Sequence, residues 1–206
     1  MISTDTVYIA LSKCSSISRE QALEYRRFLS EPELARNARY RFERDRHRDL
    51  IARALVRCSL ARQLNKSPEA LAFDIDESGK PHLGGRDKNS ALAFNLSHSG
   101  DWVVLAMART RVGIDVEHTV RNNDLIAIAD RYFFGDEYQE LMSYPESERE
   151  ERFFDYWTLK EAYMKARGEG LALGLSNFGF ILRDGITLQL TSTVQDDISA
   201  WKFYCL

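Results

Sequence analysis

The sequence predicts an α+β chain of two similar lobes, each a long helix packed on a small, mainly antiparallel sheet. Two long stretches, Arg44–Leu64 and Glu148–Arg167, carry apolar residues at helical spacing. Each is followed by short runs with strand character. No Gly-, Ser- or Pro-rich linker separates the halves, so they read as one unit with lobes 1–108 and 109–206.

Tyr8–Leu11 reads as a short strand. Ser18 followed by Gln21 is a capping-box pattern that opens a helix over Ser18–Leu29. Glu31-Pro32-Glu33 starts a further helical stretch, because proline is tolerated in a first turn. In the first long helix Leu50, Ile51, Ala54, Leu55, Cys58, Ala61 and Leu64 form one stripe, with Arg46, Arg53 and Arg57 expected off it. Phe73–Asp76 is a strand candidate, and Ser78-Gly79 a turn before Lys80-Pro81. Leu92–Leu96 and Trp102–Ala108 read as strands joined by a Ser97-His98-Ser99-Gly100 turn. Val112–Glu117 reads as a third strand of that meander. Asp124–Arg131 is a short helix. Gly168 and Gly170 end the second long helix, and strands follow near Phe178–Leu182, Thr187–Thr191 and Ile198–Cys205.

Composition narrows the function classes. A chain of 206 residues, 44% hydrophobic and 29% charged, is an ordinary globular protein; it is neither disordered nor fibrous. Its longest apolar runs fall far short of the roughly 20 residues of a membrane span, so no membrane partner is expected. The N-terminus lacks the pattern of a secretion signal, and three scattered cysteines suit a reducing compartment. A cytoplasmic location is expected. The net charge of −3 is uneven: eight arginines face three acids between Arg36 and Arg57, whereas seven acids face one arginine between Asp136 and Glu151. Dense arginine in an acidic chain points to a local anionic ligand rather than a long nucleic acid.

Three segments could carry chemistry. In Gly113-Ile114-Asp115-Val116-Glu117, strand alternation puts Asp115 and Glu117 on one face, Cα atoms about 6.6 Å apart. Two such carboxylates repel unless a cation sits between them, and oxygen ligands suit Mg²⁺ with phosphate; a solvent-facing edge with two harmless acids explains the pentapeptide equally well. In Trp157-Thr158-Leu159-Lys160-Glu161-Ala162-Tyr163-Met164-Lys165, Glu161 shares a helix face with Trp157 and Met164, where a carboxylate needs a partner. A surface Glu161–Lys165 pair is the plainer reading. Asn95-Leu96-Ser97-His98-Ser99-Gly100 offers hydroxyls, N–H groups and an imidazole at a turn, able to hold an anion or to be a simple hairpin. No P-loop and no dinucleotide fingerprint is present. Acids, cations and a Ser/His turn together suit phosphoryl chemistry with a metal.

These blocks resemble the 4′-phosphopantetheinyl transferases of the single-chain, pseudo-dimeric type, over Arg36 to about Phe180. The carriers are Phe94–Gly100, Gly113–Glu117 and Trp157–Lys165, with Gly79-Lys80-Pro81 and Arg44–Arg48 matching as well. The resemblance implies that coenzyme A lies in the cleft between the lobes, with Asp115, Glu117 and Glu161 around Mg²⁺ on its pyrophosphate. It further implies that Arg44, Lys80 and His98 contact phosphates of coenzyme A and that Ser97 shapes the pocket. Lys160 and Lys165 would lie near the pyrophosphate, with Glu161 and Lys165 as catalytic residues. The implied reaction moves phosphopantetheine from coenzyme A to a serine of an acyl or peptidyl carrier protein, in a monomer with no nucleic-acid partner. A metal-dependent nuclease or phosphohydrolase is the rival, since it would use the same acids. Two departures stand out: Glu33 sits where relatives often carry a basic residue, and relatives usually run on for one more strand and a tail beyond Leu206.

Overall fold

The computed structural model describes residues 2–119, 124–183 and 185–206. Its contacts divide the chain into two compact units, Met1–Val116 and Glu117–Leu206.

The first unit runs β1 (Tyr8–Lys13), α1 (Arg19–Glu24), α2 (Glu31–Ala38), α3 (Glu43–Leu64), β2 (Phe73–Ile75), β3 (Pro81–Leu83), β4 (Ala93–Ser99) and β5 (Trp102–Ala108). The expected capping box opens α1: Ser18 Oγ accepts from the Gln21 N–H and the Gln21 side chain accepts from the Ser18 N–H. The α-helix ends at Glu24, and a 3₁₀ turn replaces the rest of the expected helix. Ser30 and Glu33 form a second capping box at α2. The strands β1, β5 and β4 make one antiparallel sheet with β5 in the middle. Its face bearing Phe94, Leu105 and Met107 packs on Val56, Leu60 and Ala61 of α3. Of the expected stripe, Leu50, Ile51, Ala54 and Ala61 are buried, Leu55 and Leu64 are half-buried and Cys58 is exposed, while Val56 and Leu60 take core positions the spacing did not assign to them.

Three local expectations are corrected here. Ser97, His98 and Ser99 lie inside β4, and the chain reverses at Gly100, whose φ is +55°. Val112–Glu117 forms no ladder. The reason is topological: β1 and β4 occupy both edges of β5, so no edge of the central strand remains for it. Arg57 is not off the stripe but 2% exposed. Its guanidinium meets Glu33 at 2.6 Å and donates to the Pro68 and Leu71 carbonyls, since a buried cation needs an anion and acceptors.

Glu33 therefore has structural work. Burial pushes its carboxyl up, but hydrogen bonds from Arg57 and Ser30 outweigh that and hold it below the ordinary value. A depressed folded pKa contributes stability that is full above the unfolded value, about 4.3, and is lost as pH falls through the folded one. The stability gap between wild type and Glu33→Gln should therefore shrink below about pH 4. Urea unfolding across pH checks this, and a gap independent of pH refutes it.

The second unit contains α4 (Leu125–Tyr132), α5 (Gly135–Ser143), α6 (Glu146–Arg167) and a hairpin of β6 (Phe178–Ile181) and β7 (Thr187–Leu190). The helix α6 stops at Gly168 with φ +75°, a left-handed cap that glycine adopts without strain. Phe153, Tyr156, Leu159, Tyr163 and Met164 of α6 pack on Phe178, Phe180 and Leu188. The acidic run beginning at Asp136 hides α5, which no periodicity announces. Ile198–Cys205 is not a ladder strand either; Trp201 and Phe203 pack edge-on against Tyr163 and Phe180. Among the described residues no helix is long and apolar enough to cross a membrane.

Candidate functional site

In the first unit the site is built on β4. Alternation along a strand sends Asn95 and Ser97 to one face and His98 to the other. Asn95 Oδ1 accepts the Ile114 N–H at 2.9 Å, and Ser97 Oγ donates to Asp115 Oδ1 at 2.7 Å. Val112 and Ile114 pack on Ala93, Ala106 and Ala108 of the same sheet face. The Gly113–Glu117 segment is thus held by side chains, not by a ladder. Ser97 and His98 do not make one anion-binding turn, because they sit on opposite faces of a strand; His98 is exposed and Ser97 buried.

Lys80 follows the β2–β3 turn, in which Asp76 Oδ1 accepts the Ser78 and Lys80 N–H groups at 3.0 and 2.9 Å. Burial pushes the Lys80 ammonium below its ordinary pKa; Asp76 opposes that shift and Arg111 adds to it. Two neighbouring cations repel each other and favour an anion between them. Arg111 is a residue that sequence reasoning passed over, although it stands two positions before the Gly113–Glu117 block. Arg44, in the first turn of α3, is 85% exposed and lies beside Asp45 and over the Phe42 ring.

In the second unit, α6 presents Glu161 and Lys165 half-exposed, one turn apart, with Trp157 stacked on Phe153. The costly charge on the apolar face of α6 is Lys160, not Glu161. Lys160 is 0% exposed, and its ammonium donates to Glu137 Oε2 and the Phe178 carbonyl, each at 2.6 Å. The ammonium expected near a pyrophosphate is here engaged in a buried ion pair. A four-carbon stem reaching inward from a buried helix position delivers its charge to the core.

Among the described residues no group of three or more His, Cys, Asp or Glu side chains gathers as a metal cage. The donor chemistry at Asp115 nonetheless fits Mg²⁺. It is a hard oxygen ligand held in one orientation by a hydroxyl, and Mg²⁺ is ordinarily bound by one or two carboxylates plus phosphate oxygens and water.

Comparison with known proteins shows the family. Residues 111–206 match a family model described as 4′-phosphopantetheinyl transferase superfamily, and residues 16–110 match one described as 4′-phosphopantetheinyl transferase, N-terminal. The chain is 43% identical over 145 residues to the 4′-phosphopantetheinyl transferase HetI of Nostoc, covering 70% of this chain and 61% of that one. It is 39% identical to psf-1 of Bacillus pumilus over 78% of this chain and 67% of that one. To Sfp of Bacillus subtilis it is 34% identical, over 82% and 74%. The match thus spans about two thirds of the length of these relatives.

Proposed function

The chain belongs to the 4′-phosphopantetheinyl transferase superfamily, and from that premise we propose that it transfers the 4′-phosphopantetheine group of coenzyme A to a serine of an apo acyl or peptidyl carrier protein. The observation that carries this reading is the acid-bearing segment Gly113–Glu117, clamped to β4 so that Asp115 is held by the Ser97 hydroxyl. Such an arrangement presents a fixed carboxylate, as metal-assisted phosphoryl transfer requires.

In this reading the serine Oγ attacks the β-phosphorus of coenzyme A, forming a new P–O bond. The bond to the oxygen bridging the two phosphorus atoms breaks, and adenosine 3′,5′-bisphosphate leaves with the electron pair. Glu161, or a water it orients, takes the serine proton. Lys165 lies near the pyrophosphate and offsets charge that develops on its oxygens. Arg44, Lys80 and His98 bind phosphates of coenzyme A, with Arg111 reinforcing Lys80. Asp115, Glu117 and Glu161 would hold Mg²⁺, which when bound supplies Lewis-acid stabilisation of the pyrophosphate. The enzyme acts as a monomer in the cytoplasm.

The decisive experiment incubates the protein with coenzyme A, Mg²⁺ and a panel of apo carrier proteins and weighs the carriers by intact mass spectrometry. Gain of one phosphopantetheine by a carrier supports the proposal; no gain on any carrier that a control transferase modifies overturns it. Glu161→Gln keeps the volume and one oxygen but removes the base. It should still bind coenzyme A, require more Mg²⁺, and turn over about 10²-fold more slowly. Near-normal turnover by this variant returns Glu161 to a surface ion pair.

A further inference from the structure

We propose that Asn95 and Ser97 are positioning residues for Asp115, forming a two-point clamp that aims its carboxylate; the metal readout below rests on the transferase reading of this site. The acid-bearing segment has no ladder to order it, and β5, the strand just before it, already carries β1 and β4 on its two edges. Its order comes from three features of one sheet face.

The first feature is Asn95, 8% exposed, whose Oδ1 accepts the Ile114 N–H at 2.9 Å. This replaces the carbonyl that a neighbouring strand would have offered. The second is Ser97, 6% exposed, two residues further along β4 and therefore on the same face. Its hydroxyl reaches Asp115 Oδ1 at 2.7 Å, the length of a charge-assisted hydrogen bond. The third is the run of small residues Ala93, Ala106 and Ala108, on which Val112 and Ile114 lie. Alanines let the segment approach closely enough for the short Asn and Ser side chains to reach it.

One attachment holds the backbone just before Asp115 and the other holds one oxygen of its carboxylate. Two buried polar groups on an alanine-rich face would be costly without partners, and each makes a hydrogen bond to this one segment. Ser97 therefore acts through Asp115, and not by shaping a pocket for coenzyme A as the family resemblance implies.

The test compares Ser97→Ala, Ser97→Thr and Asn95→Ala with wild type by two readouts. The first is calorimetric titration of Mn²⁺ into protein saturated with coenzyme A, paired with coenzyme A affinity in EDTA. Ser97→Ala and Asn95→Ala should each weaken Mn²⁺ about tenfold or more, as loss of a partner that orients a ligand does. Ser97→Thr, which keeps the hydroxyl, should stay near wild type, and affinity in EDTA should not change. The second readout is amide exchange at Ile114, which needs no ligand. Wild type should protect that amide, and Asn95→Ala should speed its exchange about tenfold.

Unchanged Mn²⁺ affinity in folded Ser97→Ala overturns the proposal. So does a loss in EDTA equal to the loss with metal, which would assign Ser97 to the coenzyme A pocket instead. Should wild type bind no coenzyme A, the transferase reading fails, and exchange at Ile114 alone decides the clamp: unchanged exchange in Asn95→Ala overturns it, faster exchange supports it.

Discussion

Asp115→Ala is expected to yield a folded protein that modifies carrier about 10²–10³-fold more slowly, a loss of roughly 3–4 kcal/mol of transition-state stabilisation. The side chain is half-buried and its Oδ1 is taken by Ser97, while Val112 and Ile114 supply the apolar contacts of the segment. Removing the carboxylate therefore takes away the fixed negative charge and leaves the packing in place. Ser97 keeps its place in the β4 ladder, which backbone groups make. Loss of the Ser97–Asp115 hydrogen bond should lower the melting temperature by no more than a few degrees, and turnover should not return at any Mg²⁺ concentration. A variant that melts far earlier, or one rescued fully by excess Mg²⁺, contradicts this account.

Lys160→Met should destabilise the second unit by about 3–5 kcal/mol, because it removes one partner of a buried ion pair. Glu137 Oε2 accepts from Lys160 at 2.6 Å and from the Phe134 N–H at 2.8 Å, while Oε1 accepts the Phe180 N–H at 2.8 Å. One carboxylate thus joins the start of α5, the middle of α6 and the strand β6. Burial raises the Glu137 pKa even with Lys160 present, which opposes it. Without the ammonium the acid must take up a proton or sit charged in the core. Adding Glu137→Gln to Lys160→Met should recover part of the loss, since glutamine keeps an acceptor for one N–H without a charge. Urea unfolding of both variants measures this, and a single-variant effect below about 1 kcal/mol would show the pair to be dispensable.

The long helices, the Ser18 cap, the β4–β5 hairpin and the Gly168 stop were legible in the sequence because each rests on local chemistry. Periodicity, a hydroxyl at a helix start and a glycine at its end act within a few residues. The family was legible too, from three short blocks in order. Arg111 escaped notice because a cation beside a turn has no local signature; only the fold brings it near Lys80.

What the sequence determined by itself was therefore composition, periodicity and motif: two long helices, short strands after each, and acids at 115, 117 and 161. The tertiary structure decided which charges face the core and which segments find an edge. Lys160 and Glu161 are adjacent on one helix, and their 100° separation matters only once β6 and Glu137 define the inside. Likewise Gly113–Glu117 alternates like a strand but does not pair with β5, because β1, more than 100 residues earlier, holds the edge of β5 that β4 leaves. Pairing between distant segments is settled by competition for hydrogen-bonding edges, and no local pattern records the outcome.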